Sequence, residues 1–320
     1  MNRQRQFTYR TAPGETLSVQ ELLKSKGYSR RLIIDVKQIP DGLLLNGKAV
    51  TVTASVSPKD TLTVTLPPET PSSAVTPTPM KLQIVYQDED LMVVNKASGV
   101  PIHPSQGNHG NSLADGMAWY FDQKGEPFTF RVINRLDKDT TGLLILAKHA
   151  LSASILSRMV SRGQIYRTYL AAVSGDLRRL ADMDIPGLFC SDSESGMISA
   201  PIARTKDSTI KREVNFTDGE DAVTHYQILG FQKDLNISLV RLKLETGRTH
   251  QIRVHFQYLG YPLLGDFLYN PDYSLINRQS LHSWKLAFSH PITKEPLTFT
   301  AAVPDDMKIF TDEVLLDSDF

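Results

Sequence analysis

The sequence predicts an α+β protein, a mixed and largely antiparallel sheet with flanking helices, preceded by a small N-terminal α/β module. Three observations predict it. Apolar runs of strand length outnumber helix-like stretches, and no alternating βαβ rhythm or fixed-period repeat connects them, which argues against a doubly wound sheet. The length, 320 residues, exceeds that of one ordinary compact domain. Finally, residues 67–80 (PPETPSSAVTPTPM) hold five prolines in fourteen residues, a composition that sustains neither a helix nor a ladder. They read as a semi-rigid linker, and divide the chain into a module (1–66), a main domain (81–304) and an acidic tail (305–320).

Within the module, Leu17, Val19, Leu22 and Leu23 followed by Lys24, Lys26, Arg30 and Arg31 predict a short basic helical region. Asn46-Gly47, flanked by alternating Leu43/Leu45 and Val50/Val52, is a type I′ hairpin signal. TLTVTLP closes the module as a strand. Past the linker, LQIVYQDEDLMVVNK offers two β-runs around the acidic turn Asp88-Glu89-Asp90. FTFRVIN and GLLILAK are apolar segments separated by the polar loop RLDKDTT. Residues 149–162 place Leu151, Ile155, Leu156, Met159 and Val160 on one helix face, and Gly163 stops that helix. YRTYLAAVSG, HYQILGF, ISLVRLKLET and HQIRVHF read as further strands.

Apolar residues at 41% and charged residues at 22% exclude a disordered chain. The neutral formal charge is uneven: residues 305–320 carry six acids and one base, while residues 1–70 carry ten bases and six acids. A basic body under an acidic tail keeps RNA available as a partner. The single Cys190 excludes an intramolecular disulfide, a Cys-based zinc site and an iron–sulfur cluster. Without a signal-peptide core or an apolar run of membrane-spanning length, the chain is expected to be soluble, cytoplasmic and monomeric.

No phosphate loop and no G-x-G-x-x-G turn is present, so no nucleotide cofactor is expected. His250 and His255, five apart on an expected strand, would face opposite sides, so no metal site is expected either. The chemistry-bearing candidates are two polar clusters. One is the loop from Asn134 to Gly142, with two carboxylates, two bases and two hydroxyls between apolar segments. It reads equally as a catalytic loop on a rigid scaffold or as a turn whose Asp and Thr side chains cap its own backbone. The other is LETGRTHQIRVH (244–255), where Arg253 among apolar neighbours needs a carboxylate acceptor. Asp137 is the candidate.

These two segments resemble the signature motifs of the RluA-type pseudouridine synthases. NKASGVPIHP (95–104), YRTYLAAVSG (166–175), GYPLLGDFLY (260–269) and LHSWKLAFSHP (281–291) resemble the flanking blocks of that family, in order, from about residue 82 to 303. Two positions depart from the pattern: Asn134 stands where the family has His, and Thr141 where it has Ser. Those departures bear on local RNA contacts. The N-terminal unit resembles a degenerate S4 RNA-binding domain, through Ser29-Arg30, the Asn-Gly hairpin and the closing strand; Lys59 replaces the usual Gly before Asp60.

The resemblance implies a pseudouridine synthase fold and an isomerase that works without a cofactor. It makes Asp137 the essential carboxylate, with Arg253 orienting it and keeping it ionised. Tyr169 would stack on the target base, Ile252 would wall the uracil, and Arg135 would touch the RNA near the vacated position. Lys24, Lys26, Arg30 and Arg31 would contact phosphates. Ribosomal RNA, or else transfer RNA, is the expected substrate. The rival from another class is a catalytically silent RNA-binding protein of the same fold, which has no need of Asp137, Tyr169 and Arg253 together.

Overall fold

A computed structural model describes residues 4–105 and 110–311. In the N-terminal module, helices α1 (Val19–Ser25) and α2 (Arg30–Lys37) stand where the sequence predicted one helical region. Gly27, at φ +97°, separates them. Ser18 and Glu21 cap α1 reciprocally, and Ser29 accepts the Leu32 N–H at the start of α2. Strands Gln6–Tyr9, Leu62–Thr65, Leu43–Leu45 and Lys48–Ala49 form the module's sheet in that order. Asn46 and Gly47 both have positive φ, as the hairpin signal requires.

Among the described residues the main sheet has ten strands, all paired antiparallel except for one parallel contact, His282 beside Thr141 and Ser283 beside Gly142. Its centre runs Leu91–Lys96, Thr141–Ala147, Leu281–Ser289, Ile165–Ser174 and Ile237–Leu244. Three helices flank it: α3 (Leu113–Asp122), α4 (Ala150–Ser161) and α5 (Gln251–Tyr258). Among the described residues no helix is long and apolar enough to cross a membrane.

Strand alternation divides the core. Leu91, Val93, Leu143 and Ile145 join the cluster that contains α4 and the whole apolar interior of the N-terminal module. Met92, Val94, Leu144 and Leu146 face the other way, onto α3 and α5. The module thus shares one core with the reverse face of the sheet. Gly27 lies so near α4 that a Cβ on it would stand 2.5 Å from Ile155. Residues 67–80 carry no helix or strand, yet they are tied down: Glu69 pairs with Arg131 at 2.5 Å, and Asp115 accepts the Thr76 N–H at 2.9 Å.

Two strand expectations are corrected. FTFRVIN contributes only an isolated bridge between Val132 and Leu146. HQIRVHF, past His250, lies in helix α5. Residues 251–256 are buried on every side, so the helix shows no polar stripe, and Ile252, Val254 and Phe256 imitate a strand's alternation. The acidic tail is described only to residue 311; Asp305–Phe310 is a 3₁₀ turn that buries Met307 and Phe310, and residues 312–320 lie outside the described residues.

Helix α5 also carries a pH-sensitive core contact. His255 is fully buried, with Nε2 facing the Ala200 carbonyl at 2.9 Å and Nδ1 facing the Thr224 hydroxyl at 2.9 Å. A neutral ring satisfies both, and burial lowers its pKa from 6.5 to about 4. Between those values the unfolded state binds the additional proton, so stability falls as pH drops through that window, by up to ~3 kcal/mol. Urea unfolding at pH 7 and pH 4.5 should show this loss, and His255→Gln should reduce it; an identical loss in the variant would remove His255 as its source.

Candidate active site

The site is built on the loop that enters the strand Thr141–Ala147. Asn134 is buried and bridges to that strand, accepting the Ile145 N–H at 2.8 Å and donating to the Leu143 carbonyl at 3.3 Å. Gly142, at φ +109°, allows the parallel strand to approach; a Cβ there would stand 2.2 Å from the Ser283 carbonyl oxygen. Between these anchors the loop's carbonyls are held from below. Lys96 Nζ donates to Lys138 O at 2.7 Å, and Ser98 Oγ to Asp139 O at 3.3 Å. Asp137 is left at the rim with a side chain 27% exposed.

Helix α5 approaches this rim with Arg253, itself 1% exposed. Its Nη1 donates to Asp137 Oδ2 at 2.8 Å. The bidentate partner is another residue, Asp266, which accepts from Nε at 2.6 Å and from Nη2 at 2.7 Å and is fully buried. Burial opposes the guanidinium charge, but the hydrogen bonds to Asp266 and the two carboxylate charges outweigh it and raise the Arg253 pKa. Asp266 therefore fixes Arg253, and Arg253 presents one of its three other N–H groups to Asp137. Asp137 Oδ1 accepts no hydrogen bond from the described residues.

The cleft above Asp137 is lined by Tyr169, Ile252, Leu281, Arg135 and His250 among others. A slip in the ladder between Thr168 and Tyr169 aims the tyrosine: Ile165 packs on the reverse face, whereas Tyr169, four residues on, packs on the cleft side. Tyr169 is 4% exposed, and burial raises its pKa. Arg135 is exposed at the rim, with no carboxylate within ion-pair distance among the described residues. Its charge adds to burial in lowering the pKa of His103.

Sequence reasoning missed two members of this constellation. His250 was singled out only as one of a polar cluster. In the fold it precedes α5 in the left-handed region, at φ +58°, with Nε2 3.9 Å from Asp137 Oδ2 and Nδ1 3.2 Å from the Tyr269 hydroxyl. Burial, only partly offset by Asp137, lowers its pKa. Asp266 lay inside a recognised block without an assigned role; a buried acid in an apolar block was the available signal. The two departures noted in the loop are structural. Asn134 faces the strand, and the Thr141 hydroxyl lies 2.8 Å from His282 Nδ1.

Lys96 is 2% exposed and donates to three carbonyls, those of Ala97, Val100 and Lys138, at 2.7–3.0 Å. Burial lowers its pKa from 10.5 to about 7, against the pull of Asp139 and Asp137. Lys96→Met leaves those acceptors without donors and should cost about 3 kcal/mol or more, lowering the melting temperature and, through the Lys138 carbonyl, the activity. An unchanged melting temperature would show that the three bonds do not hold the loop.

The four basic residues singled out in the module are exposed, and they lie on the side of the sheet away from the cleft. Arg31 pairs with Asp35 at 2.9 Å. Among the described residues, Asp88, Asp90 and His290 have ligand atoms within 4.8 Å of one another. Those groups are already engaged: His149 and Arg5 pair with Asp90, and the Tyr86 hydroxyl donates to Asp88. Through Arg5, which precedes the module's first strand, they tie the module to the main domain.

Comparison with known proteins agrees with this architecture. The profile of the RNA pseudouridylate synthase family matches residues 90–258. The chain is 40% identical to an uncharacterized RNA pseudouridine synthase, YjbO of Bacillus subtilis, over 91% of this chain and 97% of that protein. It is 32% identical to ribosomal large subunit pseudouridine synthase D of Neisseria meningitidis, over 88% of this chain and 73% of that one. Among solved structures, human RNA pseudouridylate synthase domain containing 1 superposes with a TM-score of 0.53 and 26% identity, covering 69% of this chain and 83% of that one.

Proposed function

The chain belongs to the RNA pseudouridine synthases, and from that premise we propose that it isomerises a uridine of large-subunit ribosomal RNA, with Asp137 as the essential carboxylate. One observation carries the assignment of Asp137: its carboxylate is held at 2.8 Å by an arginine that a second, buried carboxylate has already fixed. Asp137 lines the cleft with its side chain 27% exposed. The ribosomal target is supported by relatives named ribosomal large subunit pseudouridine synthase D.

The isomerisation breaks the N1–C1′ bond of uridine, turns the uracil and joins C5 to C1′; the C5 proton goes to water and N1 takes one up. A carboxylate can attack the sugar or remove a proton from it, and either step needs an ionised oxygen in the cleft. Arg253 orients that carboxylate through its Nη1 hydrogen bond. Tyr169 and Ile252 supply a flat and an apolar wall for the uracil. The uridine leaves its stack to reach them, at a cost of a few kcal/mol. Arg135, unpaired at the rim, contacts the RNA where the base has left.

We read the protein as a monomer, a reading supported by a cleft lined by Asp137, Arg253, Tyr169 and Ile252 of one chain. Action on ribosomal RNA places the protein in the cytoplasm. Two helices on a small sheet with an Asn-Gly hairpin support the S4-like reading of the N-terminal module, whose Lys24, Lys26, Arg30 and Arg31 position RNA through phosphates. Large-subunit ribosomal RNA and transfer RNA, each tritiated at uridine C5, separate the readings. Tritium release from the ribosomal RNA is expected; release from transfer RNA alone would overturn the substrate, and release from neither would overturn Asp137 chemistry.

A further inference from the structure

A second basic surface lies where the N-terminal module meets the main domain. A groove of about 610 Å³ runs between the turn after α1, the last turns of α4, the start of the strand Ile165–Ser174 and the loop that follows the strand Leu281–Ser289. Four cations line it, Lys26, Arg158, Arg162 and Lys294, and no Asp or Glu does. All four are exposed, and none has an ion-pair partner among the described residues. Tyr166 stands among them, 65% exposed.

Each element alone has a plainer explanation. Arg158 and Arg162 fall at the C-terminal end of α4, where cations offset the helix dipole. That accounts for neither Lys26 nor Lys294, which come from other segments, nor for an aromatic ring left in solvent. Like charges gathered in a concave surface without a carboxylate repel one another. A polyanion relieves this repulsion. The ring and the apolar floor, which includes Phe288 and Leu297, match a nucleic-acid strand rather than a purely ionic ligand. Bases stack on exposed aromatics while phosphates meet the cations around them. Arg158 and Arg162, one helical turn apart, can meet neighbouring phosphates.

We propose that this groove binds a single-stranded segment of the RNA substrate at a distance from the target uridine, with phosphates on the four cations and a base on Tyr166. This rests on the reading of the protein as an RNA-modifying enzyme. It assigns the junction between module and main domain, rather than the module alone, as the surface that engages RNA outside the cleft.

The test uses the full-length protein, because the module shares its core with the main domain and cannot be cut away cleanly. Arg158→Gln/Arg162→Gln and Tyr166→Ser alter exposed side chains. Affinity for a ribosomal RNA fragment with a single-stranded extension is measured against salt concentration. The double variant should reduce the slope of log affinity against log salt by about 1.4, at ~0.7 for each phosphate contact with single strands. Tyr166→Ser should weaken binding about tenfold. Tritium release from a minimal stem-loop without the extension should be the same in wild type and variants.

If the variants bind the extended RNA with wild-type slope and affinity while that release persists, the groove is not an RNA site. If polyglutamate displaces the RNA as well as poly(U) does at equal charge, the groove is a general polyanion surface and the proposal fails. Absence of tritium release from every RNA, even in wild type, would instead overturn the enzymatic reading.

Discussion

Asp137→Asn is expected to reduce turnover by about 10⁴-fold or more while leaving RNA affinity within about twofold. The asparagine keeps the shape of the side chain, and its amide oxygen can still accept from Arg253 Nη1 at the rim. The guanidinium does not become an isolated buried charge, because Asp266 continues to neutralise it. The variant should therefore fold normally, which makes the kinetic loss interpretable as loss of a carboxylate. Single-turnover tritium release and filter binding on the same RNA measure the two quantities. Retention of even a tenth of the wild-type rate would mean that Asp137 is not the reacting group.

Arg253→Met should be costly in a different way. Asp266 is fully buried, and without the guanidinium it keeps, among the described residues, the N–H groups of Leu268 and Tyr269. Removing one partner of such a pair costs about 3–5 kcal/mol, because the other charge is left buried. The melting temperature should fall by several degrees, and activity should fall far more, since Asp137 loses its orienting contact. Arg253→Met/Asp266→Asn removes the orphaned charge and should recover most of the stability without recovering turnover. A single variant as stable as wild type would show that Arg253 and Asp266 are not the coupled pair their geometry describes.

The RLDKDTT loop was legible because all of its parts are contiguous: a polar loop bounded by two apolar segments and closed by Gly142. The hairpin at Asn46-Gly47 and the helix after His149 were legible for a similar reason, since their signals lie within one turn or one helix face. Helix α5 was not. Its immersion in core on all sides erased the polar stripe that reveals a helix, and Ile252, Val254 and Phe256 alternated like a strand. The core that the module shares with the main domain was not legible either. A proline-rich composition excludes regular structure, but it says nothing about what the flanking units bury together.

The sequence alone determined the order of the motifs, the mixed antiparallel sheet, and the pairing expected between Asp137 and Arg253, 116 positions apart. Only the tertiary structure decided that Asp266 is the residue that clamps Arg253, that His250 reaches the rim, and that Asn134 turns inward. It alone placed the N-terminal module behind the sheet and assembled Lys26, Arg158, Arg162 and Lys294 around Tyr166. The physical reason is the range of the forces involved. Backbone propensity and alternation act over a few residues and leave a record in local order. The partner that a buried charge finds, and the surface on which scattered cations converge, depend on which faces the core brings together.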